Sequence, residues 1–179
     1  MKTLTVLCLI VALAFVGCTE APPTEVHVER DAPPTSLEAD ASASKHGASG
    51  KVKAPAPHLE VEILPSNSDF INHLYLVSPG PDLFIATDDD TGIVVPLPPV
   101  RRNQELVFEI RVHDPDGNDT GVRWQTGPPS RNPDRAGHAR VTYQADGSIR
   151  VEFEDIDASG WGMADEPNFL DAIFVVSPR

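Results

Sequence analysis

The sequence has little cysteine. Only two occur in 179 residues, Cys8 and Cys18. Both lie near the start, so no disulfide framework and no cysteine-based metal site is available to the rest of the chain. Aromatic residues are also few, at 6%. Basic side chains are outnumbered by acidic ones, 14 to 27, for a net charge of −13. Lys2 is the only charged side chain ahead of Cys18, so the imbalance falls almost wholly after it. Such a balance argues against nucleic-acid backbones and bare anionic membrane as partners. It suits divalent cations, basic partners, or plain solubility. No apolar run reaches the ~20 residues that span a bilayer. No stretch keeps a 3.6-residue apolar stripe for three turns. No nucleophile-elbow, zincin or phosphate-loop motif is present. These absences favour a non-catalytic role.

What is present begins at the N-terminus. Lys2 and the free amine form a short positive region, and Leu4 to Val16 is apolar almost throughout. That run reads as the core of an export signal. It ends in Phe15-Val16-Gly17-Cys18. This run resembles the lipobox of bacterial lipoproteins, in which a small residue precedes a lipid-modified cysteine; Phe15 stands where the family prefers Leu. The resemblance implies that residues 1–17 are a signal peptide. It also implies that Cys18 carries a diacylglyceryl group and an N-acyl chain, and that the membrane is a partner through this lipid. One acyl chain alone anchors only marginally. Thr19 is not the Asp that retains such proteins at the inner membrane, which implies an outer-membrane location.

Residues 18–57 shift in composition. Ala-Pro-Pro-Thr occurs at 21–24 and again at 32–35, Ala-Ser-Ala-Ser at 41–44, and Ala-Pro-Ala-Pro at 54–57. Such a segment cannot bury enough apolar surface to offset chain entropy, so it reads as a disordered tether. Its proline-rich parts would extend at ~3.1 Å per residue and hold a domain away from the membrane.

From His58 the periodicity becomes two. Leu59, Val61 and Ile63 alternate with Glu60 and Glu62; Leu106, Phe108, Ile110 and Val112 alternate with Glu109 and Arg111, with Val107 breaking the pattern. Ile149, Val151 and Phe153 alternate with Arg150, Glu152 and Glu154. These are half-buried strands. With further runs at 70–77, 83–87, 92–97, 121–126, 138–144 and 171–176, residues 58–179 read as about nine short strands in an antiparallel, jelly-roll-like β-sandwich. Ala-Asp-Gly-Ser at 145–148 predicts a tight hairpin. Asp114-Pro115-Asp116-Gly117 and Asp88-Asp89-Asp90-Thr91-Gly92 read as solvated turns.

An ordered set of motifs then stands out. Leu74-Tyr75-Leu76-Val77-Ser78-Pro79-Gly80-Pro81-Asp82 is followed by Thr126-Gly127-Pro128-Pro129-Ser130-Arg131-Asn132-Pro133-Asp134 and by Gly137-His138-Ala139-Arg140-Val141. Phe153-Glu154-Asp155 and an acidic segment leading into Ala172-Ile173-Phe174 complete it. Over residues 70–176 this resembles the DUF4114 domains of exported bacterial proteins. The resemblance implies an extracytoplasmic β domain with concentrated C-terminal carboxylates, and no particular activity. Where the family loop ends Asp-x-Asp-(Phe/Tyr)-Asn-Asp, this chain has Glu166-Pro167-Asn168-Phe169-Leu170-Asp171, which removes a charged ligand.

Calcium is the cation such carboxylates would take, since it accepts six to eight oxygens from carboxylates and carbonyls on loops. Glu154, Asp155, Asp165, Glu166 and Asp171 are the candidate ligands. Asp157, Asn168, Asn132 and Asp134 are further candidates if the fold brings them near. The same carboxylates would serve equally as pins that bond backbone N–H groups. The chain thus reads as a cell-envelope lipoprotein presenting a non-catalytic binding or structural module. Two alternatives stay open. A glycosidase-like hydrolase would use two placed acids such as Glu154 and Asp171. A glycan-binding module would stack a sugar on Trp161 in its acidic loop. An envelope protein or a glycan is the partner these readings imply. His138 reads as a structural histidine near the acidic loop, and Trp124 as core.

Overall fold

The computed structural model describes residues 50–159 and 167–179. The signal at 1–17, Cys18, the tether as far as residue 49, Trp161, Asp165 and Glu166 lie outside the described residues.

The regular structure of the described chain is almost all strand: β1 (Val52–Lys53), β2 (Leu59–Leu64), β3 (Ile71–Ser78), β4 (Leu83–Thr87), β5 (Val94–Pro96), β6 (Glu105–His113), β7 (Asp119–Gln125), β8 (Ala139–Tyr143), β9 (Ile149–Phe153) and β10 (Ala172–Pro178). Among the described residues, no helix is long and apolar enough to cross a membrane. One sheet runs β1-β6-β3-β4, with β7 also paired to β6; the other runs β5-β2-β10-β9-β8. Every pairing is antiparallel. The two sheets make the all-β sandwich that the alternating sequence predicts.

Side-chain alternation decides which face is core. On β2, Leu59, Val61 and Ile63 are buried and Glu62 is exposed. Phe108 of β6 meets Phe174 of β10 across the sandwich, ring centroids 4.9 Å apart, and Phe153 of β9 lies beside Phe174 at 6.3 Å. The break at Val107 has a physical reason. β6 is interior to its sheet, and its second face is covered as well: Glu109 is buried under Arg111 and Gln125, which both donate to its carboxylate.

The 145–148 hairpin forms as read. Tyr143 pairs with Ile149, the Gln144 N–H donates to the Ser148 carbonyl, and Gly147 takes the positive φ of 85° that the turn requires. The Asp114 loop is a plain turn, its carboxylate accepting the N–H groups of Asp116 and Asn118.

Two expectations need correction. The folded part begins before His58: Val52 pairs with Leu106, and Val52 and Ala54 are fully buried in the core. The Pro-Ala composition of 50–57 hid a strand of two residues. Asp88 is not a solvated turn residue either; it is 6% exposed and turned inward.

Candidate metal centre

The acids that the sequence singled out converge because of strand register. β9 and β10 pair so that Ala172 lies opposite Phe153, which brings Asp171, one residue before β10, beside Glu154 and Asp155, which follow β9. The Asp171 N–H donates to the Phe153 carbonyl at 3.1 Å. The Asp155 N–H donates to Asp171 Oδ2 at 2.9 Å. Glu154 is fully buried, Asp155 is 6% and Asp171 5% exposed. One ligand atom from each of the three lies within 4.8 Å of the others. Two oxygens on a common calcium ion, each at ~2.3–2.6 Å, can be at most about 5 Å apart. The spacing fits, and an all-oxygen donor set suits a hard cation rather than a thiophilic one. The cluster could hold a metal ion.

Three further residues join it from β3 and the loops flanking β3 and β4. Asn72 of β3, fully buried, donates through Nδ2 to Asp155 Oδ2 at 2.9 Å and to Asp88 Oδ2 at 3.0 Å. Its backbone N–H donates to Asp88 Oδ1 at 2.9 Å. Ser68 Oγ donates to Asp155 Oδ2 at 2.6 Å. The cluster therefore bridges the sheets at one end of the sandwich, and Trp124 of β7 closes it with an Nε1–H bond to the Asp155 carbonyl at 2.8 Å.

The arginine ion pairs of the described residues fall on Asp82, Glu105, Glu109, Asp119 and Glu152; Asp88, Asp155 and Asp171 are not among them. Burial, with the Asp155 and Glu154 charges adding to it, pushes the Asp171 carboxyl up to about 8. Burial likewise raises Asp88 to about 6, against the hydrogen bonds from Asn72. Both groups gain from a proton or a cation.

The loop before β10 shapes the remaining wall. The N–H groups of Asn168 and Phe169 donate to Glu154 Oε2 at 3.0 and 3.2 Å. Phe169 adopts a φ of 59°, a left-handed conformation that a bulky residue rarely takes. Asn168 directs its own side-chain oxygen to the Leu170 N–H rather than to the acids. Asn132 and Asp134 do not enter the cluster. Asn132 caps the Gln125 N–H and the Ala136 carbonyl. Asp134 bonds His138, Ala136 and Ala158. Asp155 lines a solvent-facing groove of about 520 Å³ together with Phe70, Val122, Trp124 and Ile156.

Sequence reasoning missed Asn72, Ser68 and Asp88. A signal for Asn72 existed: it shares the strand parity of Leu74 and Leu76, so alternation alone turns it inward, and a polar residue on a core face is the informative exception.

The class these features define is an all-β sandwich with a buried carboxylate cluster between its sheets. No family model, curated protein or solved structure matches the chain.

Proposed function

We propose that the chain is a lipid-anchored envelope protein of the DUF4114 type, exported by residues 1–17 and attached through Cys18. Its sandwich serves as a non-catalytic binding or structural module that calcium stiffens. One observation carries the calcium reading: three buried carboxylates, each with an oxygen within ion reach of the others. Calcium fits better than magnesium, which demands near-ideal octahedral geometry and gives up its water reluctantly. The burial of Glu154, Asp155 and Asp171 speaks for an ion or a proton as what they meet, and against a sugar held for hydrolysis.

The test is calorimetric titration of the chain with calcium while melting is followed in parallel. Calcium at a hundred times its Kd contributes about 2.7 kcal/mol to the native state, a rise of roughly 5–15 °C for a domain of this size. Saturable binding that disappears in Asp171→Asn supports the reading. No binding up to millimolar calcium sinks it. Anchoring is tested separately, by labelling the expressed chain with radioactive palmitate; Cys18→Ser should abolish incorporation.

A further inference from the structure

Asn72 carries a donor and acceptor imbalance that the carboxylates alone do not explain. Four acceptors crowd its Nδ2: Asp155 Oδ2 at 2.9 Å, Asp88 Oδ2 at 3.0 Å, Ser68 Oγ at 3.2 Å and the Asp171 carbonyl at 3.3 Å. Two N–H bonds must serve all four. Those acceptors also decide which way the amide faces, because turning it over would set an oxygen against two carboxylates and a carbonyl. The opposite end of the same planar group, Oδ1, is buried and has no hydrogen-bond partner. A buried carbonyl oxygen is seldom left without a donor. The amide is set against the acid cluster through its Nδ2 contacts with Asp155, Asp88 and the Asp171 carbonyl, while its oxygen stays without a donor.

The geometry points to Asn72 Oδ1 as a neutral ligand of the same cation, joining the carboxylates of Glu154, Asp155 and Asp171. This rests on the calcium reading above and extends it to the first sheet. Calcium shells regularly mix carboxylates with amide and backbone carbonyls, and a neutral oxygen completes the count without adding repulsion. The two ends of the amide then divide the work. Nδ2 holds the Asp155 and Asp88 carboxylates in place as an outer partner orients a metal ligand, and Oδ1 meets the ion. Because Asn72 lies on β3 and the three acids on the β9 and β10 side, a bound ion ties one sheet to the other.

The experiment is calcium titration of the full chain as wild type, Asn72→Asp and Asn72→Leu. Asn72→Asp keeps an oxygen and loses the N–H donors; Asn72→Leu loses both. If Oδ1 is a ligand, Asn72→Leu weakens calcium at least tenfold, whereas Asn72→Asp binds as tightly as wild type or more so. If Asn72 acts only as an N–H clamp, both variants weaken alike, and the proposal falls. Should Asn72→Leu fail to fold, the wild-type chain decides: the Asn72 side-chain carbonyl carbon, followed by 13C NMR, shifts on saturation with calcium if its oxygen coordinates. An unmoved signal, or one that shows a buried water alone satisfying Oδ1, overturns the proposal while leaving the calcium reading intact. Absence of calcium binding in wild type removes both.

Discussion

Trp124 and His138 stack face to face, ring centroids 3.6 Å apart and planes within 3° of parallel. Both are buried. Trp124 comes from β7 and His138 from the residue before β8, so the stack joins the two sheets beside the acid cluster. His138 donates through Nδ1 to the Glu154 carbonyl at 3.1 Å, and its Nε2 faces Asp134 Oδ2 at 2.8 Å. Replacing it with Ala removes the stack and both of these ring-nitrogen contacts. His138→Ala should cost about 2–4 kcal/mol in urea unfolding. His138→Phe, which keeps a ring against Trp124, should cost less. Equal losses in the two variants would show that the stacking contributes nothing.

The acid cluster gives stability a sign with pH. Asp171 and Asp88, raised to about 8 and about 6, hold protons in the folded chain that the unfolded chain has already released. Stability then falls as pH rises from the ordinary carboxyl range near ~4 through each folded value. The lowered carboxyls, among them Asp119 and Asp134, act below that window. His73 works the other way, below the ordinary histidine value, because burial and His113 lower it. Between pH 7 and 8.5, without divalent cation, the urea midpoint should therefore drop, and Asp171→Asn should flatten the drop. A midpoint that holds steady or rises over that range would contradict the assignment.

Cation and proton compete for the same oxygens. Calcium binding should release protons, detectable as calorimetric heats that change with the ionisation enthalpy of the buffer. Chelation at pH 8 should lower the melting temperature more than chelation at pH 6. Magnesium at equal concentration should protect less than calcium. Equal protection by the two ions would point to screening of net charge instead.

The early start of the fold can be tested by truncation. Val52 is fully buried and pairs with Leu106, and the Ala54 N–H donates to the Gln104 carbonyl. Burial of Val52 alone is worth about 1.5–3 kcal/mol. A chain beginning at His58 should accordingly be less stable than one beginning at Gly50 by about 2 kcal/mol or more. Coincident unfolding curves would mean that β1 is an ornament of the sheet.

Much of this was legible from residue order. Strands with one wet face announce themselves through alternation, as Leu59, Val61 and Ile63 do against Glu60 and Glu62. The Asp-Gly turn at 146–147 announces its hairpin through backbone chemistry. Glu154, Asp155 and Asp171 could be nominated together because the first two directly follow one alternating run and the third directly precedes another. Asn72 and Asp88 were harder, since their role depends on which sheet faces which, and that is set by contacts between distant segments. Asp88 in particular sits in a run of three aspartates, of which only the first turns inward; Asp90 instead caps the Thr87 N–H at 2.8 Å.

β10 is held on both sides, by β2 along Leu59 to Leu64 and by β9 along Ile149 to Phe153. The strand contributed latest by the described chain is thus the middle of its sheet, with one neighbour drawn from near the beginning. Until Ala172–Pro178 has arrived, β2 has no partner on that side and the β8–β9 hairpin has nothing to dock on. Such sequence-distant pairing makes closure slow and all-or-none. A ribosome releasing this chain would hold an open sheet until β10 emerged, and a chain kept open that long is one that can still be threaded through a pore.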